Sequence, residues 1–243
     1  VLDSKDSVSL KFSHCVNEGA LNENNQMIWG GFIGLINSTK RAEVSIENCV
    51  NNAVHKLRLE HDTHVGGFIG LVENNSELRC SIQNSINREN MTISNDGKSY
   101  GGFFGTLKSN QGSMIFIDNC TNDNPIVTTT QNSGGFIGYV NYNSFLSISI
   151  NGSVNSWDIT SSKTNPGYAG GFIGKIDNDN GLICELTYNT DLGKINASKQ
   201  TGYIGGFIAA LQYCKECSLV VDACINENEI TVSLIYHDGL IGG

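Results

Sequence analysis

Polar and apolar positions recur along this chain in a fixed order. Fourteen residues on from a repeated Gly-Gly pair stand Val44, Cys80, Ile115, Ile148, Cys184 and Leu219, and two residues later Ile46, Ile82, Ile117, Ile150, Leu186 and Val221. The residues between are Ser45, Ser81, Ser149 and Glu185, with Phe116 and Val220 as exceptions. A period of two marks a half-buried strand. A second strand is predicted where Phe32, Phe68, Phe103, Phe136, Phe172 and Phe207 precede Ile36, Val72, Leu107, Val140, Ile176 and Leu211, with Gly or Ala209 midway. The apolar residue after each Phe (Ile33, Ile69, Phe104, Ile137, Ile173, Ile208) falls out of phase, and a neighbouring loop or partner is expected to cover it. A third, weaker strand is read at Leu57 to Leu59, Met91 to Ile93, Ile126 to Thr129, Trp157 to Ile159, Lys194 to Asn196 and Ile230 to Ser233. A turn of constant length, such as Asn37 to Glu43 or Asp177 to Ile183, joins the first two strands and is rich in turn-forming residues.

These strands belong to a module. A Gly-Gly-Phe-(Ile/Phe)-(Gly/Ala) pentad begins at Gly30, Gly66, Gly101, Gly134, Gly170 and Gly205, with a worn copy at Asp238, at steps of 33 to 36 residues. Nineteen residues from each first glycine come Cys49, Ser85, Cys120, Ser153, Asn189 and Cys224, and two further on Asn51, Asn87, Asn122, Asn155, Asp191 and Asn226. All length variation falls between this last position and the next pentad. Such a period implies stacked units that cannot bury their apolar faces alone. The expectation is an all-β parallel β-helix of about seven coils, three strands per coil, in one repeat domain. Its coils would span 1–29, 30–65, 66–100, 101–133, 134–169, 170–204 and 205–243. Stacking at roughly 4.8 Å would bring Phe onto Phe and Asn onto Asn, with the Asn amides bonded along the column. A seven-bladed β-propeller is the alternative. Twenty-eight glycines and no 3.6-residue period disfavour helix.

A net charge of -9, with no Lys/Arg cluster, argues against nucleic acid or anionic lipid as partner. No apolar run approaches the ~20 residues of a membrane span, so no membrane insertion is expected within this chain. Opening on Val1 and stopping inside a repeat at Gly243, the chain is expected to be part of a longer repeat protein. Asn, Ser, Thr and Gly dominate over charge, which suits an extracellular or cell-surface setting.

The string Asn48, Cys49, Val50, Asn51, followed by Gly66, Gly67, Phe68, Ile69 and Gly70, resembles the GLUG-type repeat of secreted and surface proteins. More distantly, Phe116 to Asn119 is similar to the Phe-x-x-Asn repeat of polymorphic autotransporter adhesins. Phenylalanine replaces the usual aliphatic residue after Gly-Gly, and Gly152, Tyr188 and Ala223 interrupt the Asn that precedes the Cys position. The resemblance implies an extracellular adhesive β-solenoid and supports no catalytic residue.

Several residues invite chemistry. Cys15, Cys49, Cys120 and Cys224 share a ladder position with Ser85 and Ser153, which points to a small buried side chain. Cys15 and Cys49 fall on adjacent coils within disulfide range, and Cys214 with Cys217 reads as a local disulfide or two free thiols. Cys184 and Cys224 stand at different module positions, so a zinc site with that pair is disfavoured. His61, Asp62 and His64 carry metal-binding atoms but read as a solvated loop, and Glu73, Asp177 and Asp179 lack the spacing of calcium-binding β-rolls. No module gathers the carboxylates and base of a polysaccharide-cleaving enzyme, so no catalytic group, metal or cofactor is expected. Asn37, Asn74, Asn90, Asn151 and Asn196 are candidate glycosylation sites, while Asn119 sits too close to Cys120. The variable segments Asn52 to Val65, Arg88 to Tyr100, Ser156 to Ala169 and Leu192 to Ile204 are the expected partner face, with Trp157, Tyr168 and Tyr203 as anchors. The partner would be a protein or glycan of another surface, or a further copy stacked end to end. The reading is a non-enzymatic adhesive segment, with a self-assembling fibre component and a carbohydrate-active domain as alternatives.

Overall fold

The structure is a computed structural model that describes residues 1–4, 6–24, 28–58, 63–94, 98–123, 126–128, 131–161, 167–198, 202–233 and 240–242. Its strands fall into five parallel sheets, each seven strands deep. One pass of the chain supplies a strand to each: Ile28–Gly30 (entry sheet), Ile33–Asn37 (pentad sheet), Glu43–Glu47 (central sheet), Val50–Asn51 (corner sheet) and Val54–Arg58 (loop-side sheet). All pairing is between successive passes, in register: Cys80 with Ile115, Asn87 with Asn122, Gly101 with Gly134. This is the β-solenoid expected from the repeat, and parallel pairing between passes rules out radial propeller blades.

Each coil has five strands rather than three. The Asn position forms its own short strand, and the Gly-Gly pair bends the chain so that entry and pentad strands separate. The loop-side strand also departs from expectation, running Val54–Arg58 and Ile159–Ser161 where Leu57 to Leu59 and Trp157 to Ile159 were read.

The bend explains the out-of-phase apolar residue. Phe103 N and Phe104 N both donate to the carbonyl of Phe136, at 3.0 and 2.9 Å, and the same doubling recurs from Phe32 to Ile173. Two residues facing one carbonyl form a bulge-like kink that resets the alternation, so the Phe and the residue after it both turn inward. Ile69, Phe104, Ile137 and Ile173 are therefore buried in the main core itself, not under a loop or partner.

That core lies between the pentad and central sheets. A second cluster holds Val65, Tyr100, Trp157, Ile159, Ala169, Ile195 and Ile204, with Trp29 and Ile230 against it. The entry and pentad strands touch through glycine. A Cβ on Gly66 would stand 2.7 Å from Gly105 N, and one on Gly70 would stand 2.7 Å from Trp29 C. Only a residue without a side chain permits this approach. Three corner columns also take left-handed backbone, as at Ser38, Arg41 and Asn48 with φ of 55°, 53° and 53°.

Candidate functional site

The phenylalanine column forms as expected. Phe32, Phe68, Phe103, Phe136 and Phe172 stack with centroids 4.7 to 5.0 Å apart and planes within 13° of parallel. Phe207, in the last coil, tilts to 38°.

The corner asparagines form a directional ladder. Asn51 Nδ2 donates to Asn87 Oδ1 at 3.0 Å, Asn87 to Asn122 at 3.0 Å, Asn122 to Asn155 at 3.0 Å and Asn155 to Asp191 Oδ1 at 2.8 Å. Asn17 extends the ladder backward, donating to Asn51. Buried amides demand such partners. At the far end Asn226 is in register with Asp191, but Asn228 Nδ2 makes the hydrogen bond, 2.6 Å to Asp191 Oδ2.

A second ladder was missed. Thr39 Oγ1 donates to Asn75 Oδ1 at 2.8 Å, Asn75 Nδ2 to Asn110 Oδ1 at 2.9 Å, Asn110 to Asn143 at 3.0 Å and Asn143 to Asp179 Oδ1 at 3.0 Å, all in one direction. Each amide also donates to a carbonyl of the preceding coil, those of Ile36, Val72 and Leu107 in turn. The signal was in the sequence, since Thr39, Asn75, Asn110, Asn143 and Asp179 all stand nine residues from their first glycine. Both ladders end on a carboxylate in the same module. Burial pushes Asp179 and Asp191 up to about 6, against the hydrogen bonds that favour their ionised forms.

All eight cysteines are free in the structure, so Cys15 is not bridged to Cys49 here, and Cys214 and Cys217 take the free-thiol alternative. Cys15 and Cys49 do share a column, yet each Sγ donates to a carbonyl two residues back, Ser13 O at 3.4 Å and Glu47 O at 3.3 Å. Cys214 and Cys217 do likewise with Gln212 and Lys215. Desolvation pushes the thiols of Cys80, Cys120 and Cys184 up to about 12, so they are inert packing groups.

The expected aromatic anchors face inward, because the entry strands lie over the pentad sheet. Trp157 is fully buried in the second cluster, its ring 5.1 Å from that of Tyr100. Tyr168 is buried and Tyr203 half-buried, stacked at 5.1 Å. Lys175 Nζ sits 4.6 Å from the Tyr168 ring centroid and 2.7 Å from Asp177 Oδ2, which also accepts from Tyr139 OH. Among the described residues the strongly exposed aromatics are Tyr142, Phe145, Tyr188 and Tyr213, all at corners with positive φ.

His61 and Asp62 lie outside the described residues. His64 is no solvated ligand: Nδ1 lies 3.0 Å from Ser99 Oγ and 2.7 Å from Thr106 Oγ1, in the interior. Glu89 is a second buried group that sequence reading passed over. Trp29 Nε1 donates to it, and burial pushes its carboxyl well above the usual range. Among the described residues no group of three or more His, Cys, Asp or Glu could hold a metal ion. Of the sequons, Asn74, Asn90 and Asn196 are exposed, while Asn151 donates to Asp118 Oδ1 at 2.7 Å and Asn74 to Asn37 Oδ1 at 3.2 Å.

Comparison with protein-family models, with curated proteins and with solved structures finds no match to this chain.

Proposed function

We propose that this chain is a non-enzymatic, adhesive β-solenoid segment of an extracellular surface protein, as its likeness to GLUG-type repeats suggests. The observation that supports the reading is where length varies. From each pentad through its Asn corner, side chains repeat in register down the pentad, central and corner sheets, and a single inserted residue would turn an alternating strand inside out. The segments between the Asn corner and the next pentad alone vary in length. A frame held constant from pentad to Asn corner and varied over the rest of the coil suits a scaffold that presents changeable loops. Their rooted aromatics, Trp157 and Tyr168, anchor the loops to the rod and leave contact to other residues.

Proteinase treatment of intact source cells, followed by detection with antibody to the rod, tests the setting. Loss of signal without lysis is expected, and full protection would refute a surface location. Replacement of residues 162–166 by a Gly-Ser linker of equal length tests the face: cell attachment by the purified chain should fall while its melting temperature holds. Undiminished attachment would remove the loops from the reading.

A further inference from the structure

The central sheet has an outer face that takes no part in the core. Its middle row runs Ser45, Ser81, Phe116, Ser149 and Glu185, one residue per coil at parallel register. Phe116 is the one large ring among these small side chains, so the row dips on both sides of it. The dips belong to a groove of about 440 Å³, within the ~300–1,000 Å³ typical of small-molecule sites.

The groove's chemistry is mixed in a particular way. Over one face of Phe116, the Arg79 guanidinium carbon stands 5.8 Å from the ring centroid, so the side toward Ser149 is the one left to a ligand. Along the next row, Thr187 Oγ1 donates to Asn151 Oδ1 at 3.0 Å, and Asn151 Nδ2 donates to Asp118 Oδ1 at 2.7 Å. This relay fixes three polar side chains before any ligand arrives and engages only one oxygen of the Asp118 carboxylate. Ser81, Gln83 and Ser149 supply further hydroxyl and amide groups to the lining.

We propose that this groove binds a neutral oligosaccharide. A sugar ring has one apolar face of C–H groups and a rim of hydroxyls, each both donor and acceptor. An aromatic platform ringed by hydroxyls, amides and a carboxylate offers complementary groups to both parts. Preorganisation by the Thr187, Asn151 and Asp118 relay lowers the ordering cost of binding. Charge disfavours an anionic ligand, because Glu43 and Asp118 line the groove against the single cation Arg79. A peptide adding as a strand has no opening here: the strand through Phe116 is paired on both edges, with Arg79–Gln83 and with Ser147–Asn151. The site is separate from the variable segments and stands whether or not the chain is displayed on a surface.

Affinity electrophoresis of the full chain tests the proposal, in gels carrying hydroxyethyl cellulose, glycol chitin, galactomannan or xylan, with alginate as the acidic arm. At least one neutral polysaccharide should retard the chain. Phe116→Ser should abolish the retardation without lowering the melting temperature, since Ser fills the same row in both neighbouring coils. Ser149→Gln, which fills a dip without touching the core, should weaken apparent affinity at least fivefold. Tyr213→Ser, which removes an exposed ring at another corner, should change nothing. The proposal is overturned if no neutral polysaccharide retards the chain, if alginate alone does, or if the two groove variants migrate as the unaltered chain does.

Discussion

A Cβ on Gly67 would lie 2.6 Å from Asn87 Nδ2. The second glycine of the pentad and the corner asparagine are thus one device: the missing side chain is the space into which the ladder amide fits. The same pairing recurs between Gly31 and Asn51 and between Gly102 and Asn122.

Exchange of either partner should therefore be costly, and the two costs should not add. Asn87→Ala leaves buried neighbours without their hydrogen bonds, at about 1–3 kcal/mol for each unsatisfied group. Gly67→Ala forces aside both this amide and the Gly102 carbonyl and should cost at least as much. In the double variant the clash with the amide disappears while that with the carbonyl remains, so its destabilisation in urea should fall short of the sum by about 1 kcal/mol. Strict additivity would separate the two residues.

Asp179 makes stability depend on pH. Burial lifts its carboxyl to about 6 in the fold, against an ordinary value of 3.8, so between these values the folded chain keeps a proton that the unfolded chain has lost. Stability from this group is full below pH 4, falls as pH rises toward 6, and stays lower beyond, by on the order of 3 kcal/mol. The geometry gives the reason: Asp179 Oδ2 has no hydrogen-bond partner, where Asn75, Asn110 and Asn143 each place a donating amide. Asp179→Asn should raise the melting temperature at pH 7 and flatten its rise toward pH 4.5. An unchanged melting temperature at pH 7 would contradict the assignment.

The cysteines should behave as core residues. Iodoacetamide at pH 8 should leave Cys49, Cys80, Cys120 and Cys184 unmodified in the folded chain. After unfolding without reductant all eight should alkylate, as mass spectrometry will read. A missing pair would mean a bridge.

Phe136 sits mid-column with rings 4.8 and 4.7 Å away on either side. Phe136→Ala should cost about 3–5 kcal/mol, and Phe136→Asp should abolish folding by burying an unpaired charge. Circular dichroism with thermal melting checks both.

What could be read from the chain was what repeats at a fixed count. The Phe column, the Asn ladder and the alternating strand at Val44 and Ile46 all follow from periodicity. The Ile69 series was misread because strict alternation assumes an unbroken strand, and the shared carbonyl at the glycine bend resets the count. Trp157, Tyr168 and Tyr203 were misplaced for another reason: they stand in stretches of variable length that look like exposed loops, although Tyr168 and Tyr203 each stand two residues before a pentad and pair in register. Asn75 and Asn110 could have been found, but a turn rich in Asn looks sufficient for turning, and their second duty shows only once the coils are stacked. The groove around Phe116 hid as an exception to a serine row.

Both amide ladders run one way, and both stop in the module of residues 170–204. Each asparagine rung brings a donor and an acceptor, so a copy could be duplicated or deleted within that run and leave the relay whole. An ionised aspartate only accepts, and with Asp179 and Asp191 in one coil both relays have their terminus in the same module. A module added or removed before Gly170 therefore keeps every rung supplied with a donor, and one added by copying the aspartate module does not.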